Sequence, residues 1–343
     1  VTVNEPRPAG IKRGINYDTE DNTRVTLCLQ APNKSSVYVI GDFNDWGFSS
    51  DYLMKKDGEY FWLEIDGLEP NVEYAFQYVV DESIYIADPY CDKILQPLDQ
   101  YISEDIYPNL KEFPSKAVNA VGYYNTVSVL ETGQTPYVWQ NANFEKPPKS
   151  QSVIYKLLIR DFFGDGQETY VNLRDTLSYI KSLGVNVIEL LPVTEFAGNN
   201  SWGYNPTFMF APDKAYGTKI ELKAFIDAAH GLGIAVNLDM VLNHQEQPSP
   251  LVLLDFNVAT GQVTPQNPYF NVTPTHPFNV FYDMNHSSTY TQSFVDSVNY
   301  YWINEYHFDG YRFDLSKGFT QTNYGGDVNA WSNYDAGRVA LLK

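Results

Sequence analysis

Two segments in the second half of the chain place charged side chains at alternate positions of apolar runs. Asp239 and Asn243 share one face of the first run, because strand side chains alternate, and His244 follows at its end. Arg312 and Asp314 are likewise two residues apart in a later run. Charged groups inside an apolar sheet are unfavourable unless they are paired. The pattern therefore indicates either structural ion pairs or a site where a carboxylate acts beside a guanidinium.

The elements around these residues alternate between strand and helix. Apolar runs predict strands over 152–159, 185–191, 234–242 and 310–314, and helical spacing predicts helices over 170–183, 220–232 and 289–305. Strands that are apolar on both faces and separated by helices form parallel sheets with right-handed crossovers. The second half of the chain is therefore predicted to contain about four βα units. The charged residues lie at the carboxyl ends of its third and fourth strands.

The first part of the chain has a different pattern. Short runs with alternating apolar and polar residues, separated by turn residues, predict an antiparallel sandwich with strands over 25–29, 36–40, 60–65 and 74–80. The segment between the two patterns holds Pro136, Pro147 and Pro148 and lacks sustained periodicity. We predict a β-sandwich over 1–126, a linker over 127–150 and a partial barrel over 151–343, with a long loop insertion over 245–288.

The amino-acid composition restricts the kinds of molecule that the chain is expected to bind. The formal charge of −19 over 343 residues would repel phosphate backbones and anionic lipids, so nucleic acids and membrane surfaces are not expected partners. No apolar stretch reaches the roughly 18 residues of a membrane span. Cys28 and Cys91 are the two cysteines, too few for a disulfide scaffold. A neutral polymer remains compatible with this composition.

Five motifs resemble glycoside hydrolase family 13, the α-amylase superfamily. Residues 239–244 (DMVLNH) match its DxVxNH motif, and residues 310–317 (GYRFDLSK) match its GxRxDxxK motif. Three further matches, in the family's order, are WGYNP at 202–206, YGT at 216–218 and FYDMN at 281–285. The resemblance implies that the βα units are the first half of a TIM (β/α)8 barrel.

The segment 37–46 (VYVIGDFNDW) resembles carbohydrate-binding module family 48. This resemblance implies an immunoglobulin-like β-sandwich ahead of the barrel. Trp46 of that segment would either face a sugar or anchor the sandwich.

The resemblance to the hydrolases implies roles for individual residues. Asp314 would be the nucleophile of a retaining mechanism, and Arg312 would keep it ionised by charge-assisted hydrogen bonding. Substrate binding is implied for five residues: Trp202, Tyr204, Asp239, His244 and Lys317. Tyr204 would stack under the sugar, or else pack in the core. Lys317 would reach the leaving group, or else remain a solvated charge.

A structural calcium ion is also implied by the resemblance. In many members, the residues that correspond to Asn243 and Asp283 bind calcium, which prefers hard oxygen ligands. Residues 282–286 (YDMNH) also resemble members that lack this ion. Both alternatives stand at this point.

The expected function is retaining hydrolysis of α-1,4-glucosidic bonds in starch-like glucans. A branching or debranching enzyme is the alternative within the family, and a non-catalytic glycan-binding protein is the alternative outside it. The family's proton donor, a Glu after the fifth strand, has no counterpart before Lys343. We therefore expect the native protein to be longer and the chain as given to be inactive. An extracellular or periplasmic setting is expected from the resemblance.

Overall fold

The computed structural model describes residues 2–117, 125–164 and 166–343. They form a β-sandwich followed by a parallel sheet with flanking helices, as the sequence predicts. Among these residues no helix combines the length and the apolar character needed to cross a membrane.

The sandwich consists of two five-stranded sheets that are mostly antiparallel. One sheet has the strand order β1-β5-β6-β3-β2, and the other has the order β4-β7-β10-β9, with β8 also paired to β7. The ten strands are β1 Val3–Asn4, β2 Gly14–Tyr17, β3 Val25–Gln30, β4 Val37–Gly41, β5 Lys55–Asp57, β6 Tyr60–Ile65, β7 Glu73–Val80, β8 Ile84–Ile86, β9 Ile94–Leu95 and β10 Val127–Glu131.

Trp46 has a structural role in the sandwich. Its indole Nε1 donates a hydrogen bond of 3.0 Å to Asp42 Oδ1, and its ring packs against a buried apolar cluster that includes Val127 and Val129. Asp42 in turn accepts a hydrogen bond of 2.8 Å from the backbone N–H of Ala75 on β7. The anchoring alternative for Trp46 therefore agrees with these contacts.

The second half of the chain is built on a four-stranded parallel sheet of order β11-β12-β15-β20. Its strands, like those of a barrel, follow the chain in sequence. The elements from residue 151 onwards are β11 Ile154–Leu157, α1 Ile159–Phe162, α2 Tyr170–Asp175, α3 Leu177–Ser182, β12 Val187–Leu190, β13 Thr194–Phe196, β14 Pro206–Pro212, α4 Lys219–Gly231, β15 Ala235–Met240, β16 His244–Gln245, α5 Pro250–Leu253, β17 Phe256–Asn257, β18 Gln262–Val263, β19 Tyr282–Asp283, α6 Thr289–Tyr306, β20 Gly310–Phe313, α7 Val328–Ser332 and α8 Ala336–Leu341.

A local sequence signal fixes the start of α4. The Thr218 side chain accepts a hydrogen bond from the backbone N–H of Glu221, and the Glu221 carboxylate accepts one from the N–H of Thr218 at 2.7 Å. This reciprocal capping satisfies two donors at the helix N-terminus. The YGT segment is therefore also a helix start.

Two predicted boundaries are wrong. The predicted linker 127–150 begins with β10, which pairs with β7 and β9 inside the sandwich, so the sandwich extends to Glu131. The single helix predicted over 170–183 is divided at Thr176 into α2 and α3. There the Thr176 hydroxyl donates a hydrogen bond of 2.7 Å to the carbonyl of Asn172, a contact that bends helices.

The hairpin of β13 and β14 was not predicted from the sequence. Both strands are buried along their whole length, so they lack the alternation that reveals a half-exposed strand. The predicted loop insertion 245–288 contains α5 and the short strands β17 to β19, and its end returns to pair β19 with β16.

A buried charge cluster joins the segment between β9 and β10 of the sandwich to the region of this hairpin. Lys214 Nζ lies 2.5 Å from Glu195 Oε1 and 3.5 Å from Asp99 Oδ1. Asp213 caps the short helix Lys214–Tyr216, and burial raises its pKa to about 7. Burial also raises the pKa of Glu195 well above its usual range, which the charge of Lys214 only partly opposes. Three carboxyl groups, those of Asp99, Glu195 and Asp213, therefore lie around one ammonium group, and burial raises the pKa of each.

This cluster predicts a pH-dependent difference in stability between the protein and a Glu195→Gln variant. Because the folded-state pKa of Glu195 is raised, the contribution of Glu195 to the free energy of unfolding is fully present at pH values below its unfolded-state pKa. This contribution is lost as the pH rises towards the folded-state pKa. The glutamine cannot ionise, so the variant should gain stability relative to the parent as the pH rises. The expected gain is up to about 1.4 kcal/mol per pH unit between the two pKa values.

The free energy of unfolding from urea denaturation between pH 5 and 8 measures this difference. The exposed Glu69→Gln variant is the control, and its difference from the parent should not change with pH in this way. A constant difference for Glu195→Gln would contradict the prediction.

Candidate active site

The carboxyl ends of the four parallel strands bring a set of charged side chains together. Lys156 on β11 is in register with Glu189 on β12, and Asp239 on β15 is in register with Arg312 on β20. Because the strands are parallel and adjacent, these side chains meet on one face at one edge of the sheet. That edge is where barrel enzymes of this architecture carry their chemistry.

Arg312 connects the two carboxylates of the site. Its Nη1 lies 2.8 Å from Asp314 Oδ1 and 2.8 Å from Asp239 Oδ1. Asp239 is fully buried, whereas the Asp314 side chain is 21% exposed. Asp314 is therefore the carboxylate that an incoming molecule can reach, and the Arg312 guanidinium holds it in place.

The Arg312 guanidinium stays charged in this environment. Burial by itself would lower its pKa, but the hydrogen bonds and charges of Asp239 and Asp314 more than offset this and raise the pKa above its usual value. A permanent positive charge beside Asp314 favours the ionised carboxylate.

Asp239 is the centre of the network. Its Oδ2 accepts hydrogen bonds from Lys156 Nζ at 2.6 Å and from the Tyr204 hydroxyl at 2.8 Å. Lys156 also contacts Glu189 at 3.1 Å. Burial and the hydrogen bond to Asp239 raise the pKa of Tyr204 to about 12, so its phenol keeps its proton and donates. Asp239 thus fixes the positions of a lysine, a tyrosine and an arginine at once.

His244 is a neutral imidazole that donates to the backbone. Its Nε2 lies 2.7 Å from the carbonyl oxygen of Tyr204, and since a carbonyl can only accept, Nε2 carries the proton. Burial lowers the pKa of His244, although the Tyr204 carbonyl and the charge of Asp314 oppose this effect. The Nδ1 atom is then a hydrogen-bond acceptor.

The WGYNP segment requires its glycine. Gly203 has a φ of +87°, and a β-carbon there would collide with the carbonyl of Pro192. A residue with a side chain would have to move the backbone that carries Tyr204. The motif therefore positions Tyr204 partly through the absence of a neighbouring side chain.

Two predicted site residues lie further from the network. Lys317 is exposed, and its Nζ lies 3.2 Å from Ser332 Oγ and 5.8 Å above the Trp331 ring. Trp202 is 59% exposed, two residues before Tyr204. The structure brings together Asp314, Arg312, Asp239, Tyr204 and His244, whereas Lys317 points towards α7. The binding roles of Lys317 and Trp202 stay predictions.

Three residues of the site were not predicted from the sequence. Lys156 and Glu189 are charged residues within apolar strands, a signal that could have revealed them. Phe281 had no such signal. It has a φ of +55°, which is strained for a bulky residue, it is 45% exposed, and its ring centroid lies 5.5 Å from that of His244. Strained, exposed residues concentrate at ligand sites.

The predicted calcium ligands do not fit that ion. Asn243 and Asp283 are both buried, and each has an Oδ1 atom without a hydrogen-bond partner among the described residues. However, a ring nitrogen of His276 lies 3.5 Å from Asp283 Oδ1. Calcium takes six to eight oxygen ligands, and an imidazole nitrogen is not one of them. Within the described ranges, no three His, Cys, Asp or Glu side chains are arranged to hold a metal.

The comparison with protein families agrees with this geometry. The model "Alpha amylase, catalytic domain" matches residues 160–252, and the model "Carbohydrate-binding module 48 (Isoamylase N-terminal domain)" matches residues 12–91. Residues 160–252 therefore resemble an α-amylase catalytic domain, and residues 12–91 resemble a family 48 carbohydrate-binding module. Both resemblances drawn from the amino-acid sequence are confirmed. The predicted domain order, a sandwich followed by part of a barrel, is confirmed as well.

Relatives in the α-amylase superfamily cover most of this chain. Malto-oligosyltrehalose trehalohydrolase of Saccharolobus solfataricus is 28% identical over 77% of the chain and 40% of its own length. The 1,4-α-glucan branching enzyme of Aliivibrio fischeri is 28% identical over 93% of the chain and 43% of its own length. A crystal structure of a Salmonella typhimurium protein described as an α-amylase superposes with a TM-score of 0.68 at 25% identity, over 90% of this chain and 44% of that one. The chain therefore spans about two fifths of the length of the relatives it matches.

The geometry of the WGYNP loop predicts the effect of a Gly203→Ala substitution. Both the positive φ and the collision with Pro192 oppose a β-carbon, so we expect a loss of about 3 kcal/mol or more in the free energy of unfolding. Gly198 has a similar φ of +79° but open space around it, so Gly198→Ala should cost only about 1–2 kcal/mol. Urea denaturation of both variants measures the difference, and equal losses would show that the Pro192 contact is unimportant.

Proposed function

We propose that the protein is a retaining glycosidase that cleaves α-1,4-linked glucans, with Asp314 as the nucleophile. The observation that carries the proposal is the Arg312 guanidinium, which contacts both Asp314 and Asp239 at 2.8 Å where the parallel strands end. The partly exposed Asp314 faces outwards from this network. The names of the branching enzyme and the trehalohydrolase support an α-glucan substrate.

In this mechanism an oxygen of Asp314 attacks the anomeric carbon and forms a covalent glycosyl ester. The bond to the glycosidic oxygen breaks, and that oxygen takes a proton from a carboxylic acid about 5 Å away. Water then hydrolyses the ester and releases the Asp314 carboxylate. Asp239 is unsuited to be the acid, because Lys156, Tyr204 and Arg312 all donate to it. We therefore assign the acid to another residue of the full-length protein.

The remaining site residues would bind the sugar. Tyr204 and His244 flank Asp314, and the His244 Nδ1 acceptor suits a sugar hydroxyl. Phe281 offers an exposed ring next to His244, and flat rings of this kind pack against sugar faces. Trp202 is the other exposed aromatic residue that we assign to substrate binding.

An extracellular or periplasmic setting stays a prediction.

A branching enzyme is the second candidate, because relatives with that name align with 93% of this chain. The first step would be the same, but a glucan hydroxyl would replace water in the second. Incubation of the full-length protein with amylose and with pullulan separates the candidates. Short linear maltooligosaccharides support the hydrolase, new α-1,6 linkages in the proton NMR spectrum support branching, and cleaved pullulan supports debranching.

The Asp314→Asn substitution in the full-length protein tests the nucleophile. Loss of a covalent nucleophile should lower kcat by roughly a thousandfold or more on amylose, because the amide cannot form the ester. A fluorinated α-glucosyl fluoride should label the parent protein on the peptide that contains Asp314, detected by mass spectrometry. Asp51→Asn, an exposed change on the sandwich, should leave kcat unchanged. Labelling of a different carboxylate would refute the assignment.

Phe281→Ala tests the proposed sugar platform. Loss of the ring should raise KM for maltooligosaccharides by about tenfold, because one aromatic contact is worth roughly 1–1.5 kcal/mol, and kcat should change less. Phe281→Tyr should keep the parent KM. Tyr179→Ala removes an aromatic residue that is 57% exposed on α3, away from the strand ends, and serves as the control. An unchanged KM in Phe281→Ala would exclude the platform.

A further inference from the structure

Three polar atoms are buried together between the loop that precedes β19 and the end of β15. They are Asn243 Oδ1, Asp283 Oδ1 and His276 Nε2, and neither these atoms nor His276 Nδ1 has a hydrogen-bond partner among the described residues within normal geometry. The side chains of His276 and Asp283 are 1% and 0% exposed. Buried polar atoms without partners are unfavourable and rare in native proteins. Their proximity therefore requires an explanation.

The orientation of the Asn243 amide is fixed by its other partner. Asn243 Nδ2 donates to the backbone carbonyl oxygen of Asp314, which can only accept. The Oδ1 atom must then point the other way. A β-carbon on Gly318 would lie 2.9 Å from His276 Nε2 and closer still to Asn243 Oδ1, so both atoms border the same glycine. Asn243 Oδ1 is thus an acceptor that faces the His276 ring.

Asp283 presents a second acceptor to the same ring. Its Oδ2 already accepts from Asn271 Nδ2 at 2.8 Å and from the backbone N–H of Thr275 at 3.3 Å. Its Oδ1 lies 3.5 Å from His276 Nε2. Two oxygen acceptors therefore face one ring nitrogen, and only a proton donor or a cation between them would satisfy both.

We propose that the N–H of His276 takes the place of a metal ion between Asn243 and Asp283, so that this junction holds the active site without calcium. The ring is itself fixed, because it stacks on Trp331 with 12° between the planes and 5.4 Å between centroids. Gly318 leaves no space for a β-carbon beside the two atoms, and the ring nitrogen occupies part of the remaining volume.

This junction links the loop to the catalytic end of the sheet. Asn243 holds the carbonyl of Asp314, and Asp283 is the register partner of His244 in the pairing of β16 with β19. His276 lies between them but does not face the cleft as Asp314 does. It is therefore a positioning residue, which acts through Asn243 and Asp283 on the proposed nucleophile and on His244.

The first experiment needs no substrate, so it tests this inference whether or not the proposed glycosidase activity is found. The full-length protein is dialysed against buffer without calcium, and its metal content is measured by mass spectrometry. We expect no stoichiometric calcium and the same melting temperature in EDTA as in calcium chloride. Retention of one calcium ion per chain at this junction, removed by Asp283→Asn, would overturn the proposal.

The second experiment rests on the proposed function and separates the N–H from the ring. His276→Phe keeps the stacking on Trp331 but has no donor, and His276→Gln keeps a donor. We expect His276→Phe to lower kcat by about ten- to a hundredfold with little change in KM, since small displacements of reacting groups cost this much. His276→Gln should restore much of kcat.

His230 offers a matched control, because its Nε2 lies 2.9 Å from Asp309 and its ring stacks on Phe144 with 11° between the planes. It lies at the opposite end of β15, where Asp309 accepts from the N–H of Val236. His230→Phe should reduce thermal stability and leave kcat unchanged. An unaltered kcat in folded His276→Phe, or an equal loss in His230→Phe, would overturn the positioning role. If His276→Phe does not fold, the calcium measurement decides.

Discussion

The active-site geometry depends on one fully buried carboxylate, that of Asp239. Removing such a group from water is unfavourable unless donors surround it, and here Lys156, Tyr204 and Arg312 all donate to it. These donors come from a first strand, a loop and a fourth strand, so one charge orders three distant segments. The same Nη1 atom of Arg312 also donates to Asp314. The partly exposed carboxylate of Asp314 is therefore oriented by the same guanidinium that pairs with the buried carboxylate of Asp239.

The loop before β19 completes this arrangement from outside the sheet. It returns to the end of β15 through the pairing of His244 with Asp283, and it contributes both a buried ring, His276, and an exposed ring, Phe281. The His276 ring lies beside the unpartnered Asp283 Oδ1, and the exposed Phe281 ring lies next to His244. A single loop thus contributes both to the interior of the candidate site and to its surface. The charge cluster around Lys214 has a comparable role at a distance, because it ties the segment between β9 and β10 to the region of the β13–β14 hairpin.

The errors in the sequence-based prediction have separate physical causes. β10 was read as a linker because its partners, β7 and β9, lie elsewhere in the chain, and local periodicity carries no information about distant pairing. The division at Thr176 coincides with a hydrogen bond from its hydroxyl to the Asn172 carbonyl, a side-chain contact that apolar spacing does not show. Calcium at Asn243 and Asp283 was one of two alternatives from the sequence, and His276, which lies beside Asp283, stands outside the motifs that named these residues.

By itself, the sequence determined the order of the two domains, the four parallel strands and the alternation that puts Arg312 and Asp314 on one face. These features follow from periods of two and 3.6 residues, which are local properties of the backbone. Only the tertiary structure decided that Asp239 is shared by Lys156, Tyr204 and Arg312, that Lys317 points towards Trp331, and that the His276 imidazole lies beside Asp283. Such contacts join residues far apart in the chain, and their partners are chosen by packing and by the requirement that every buried polar group be satisfied.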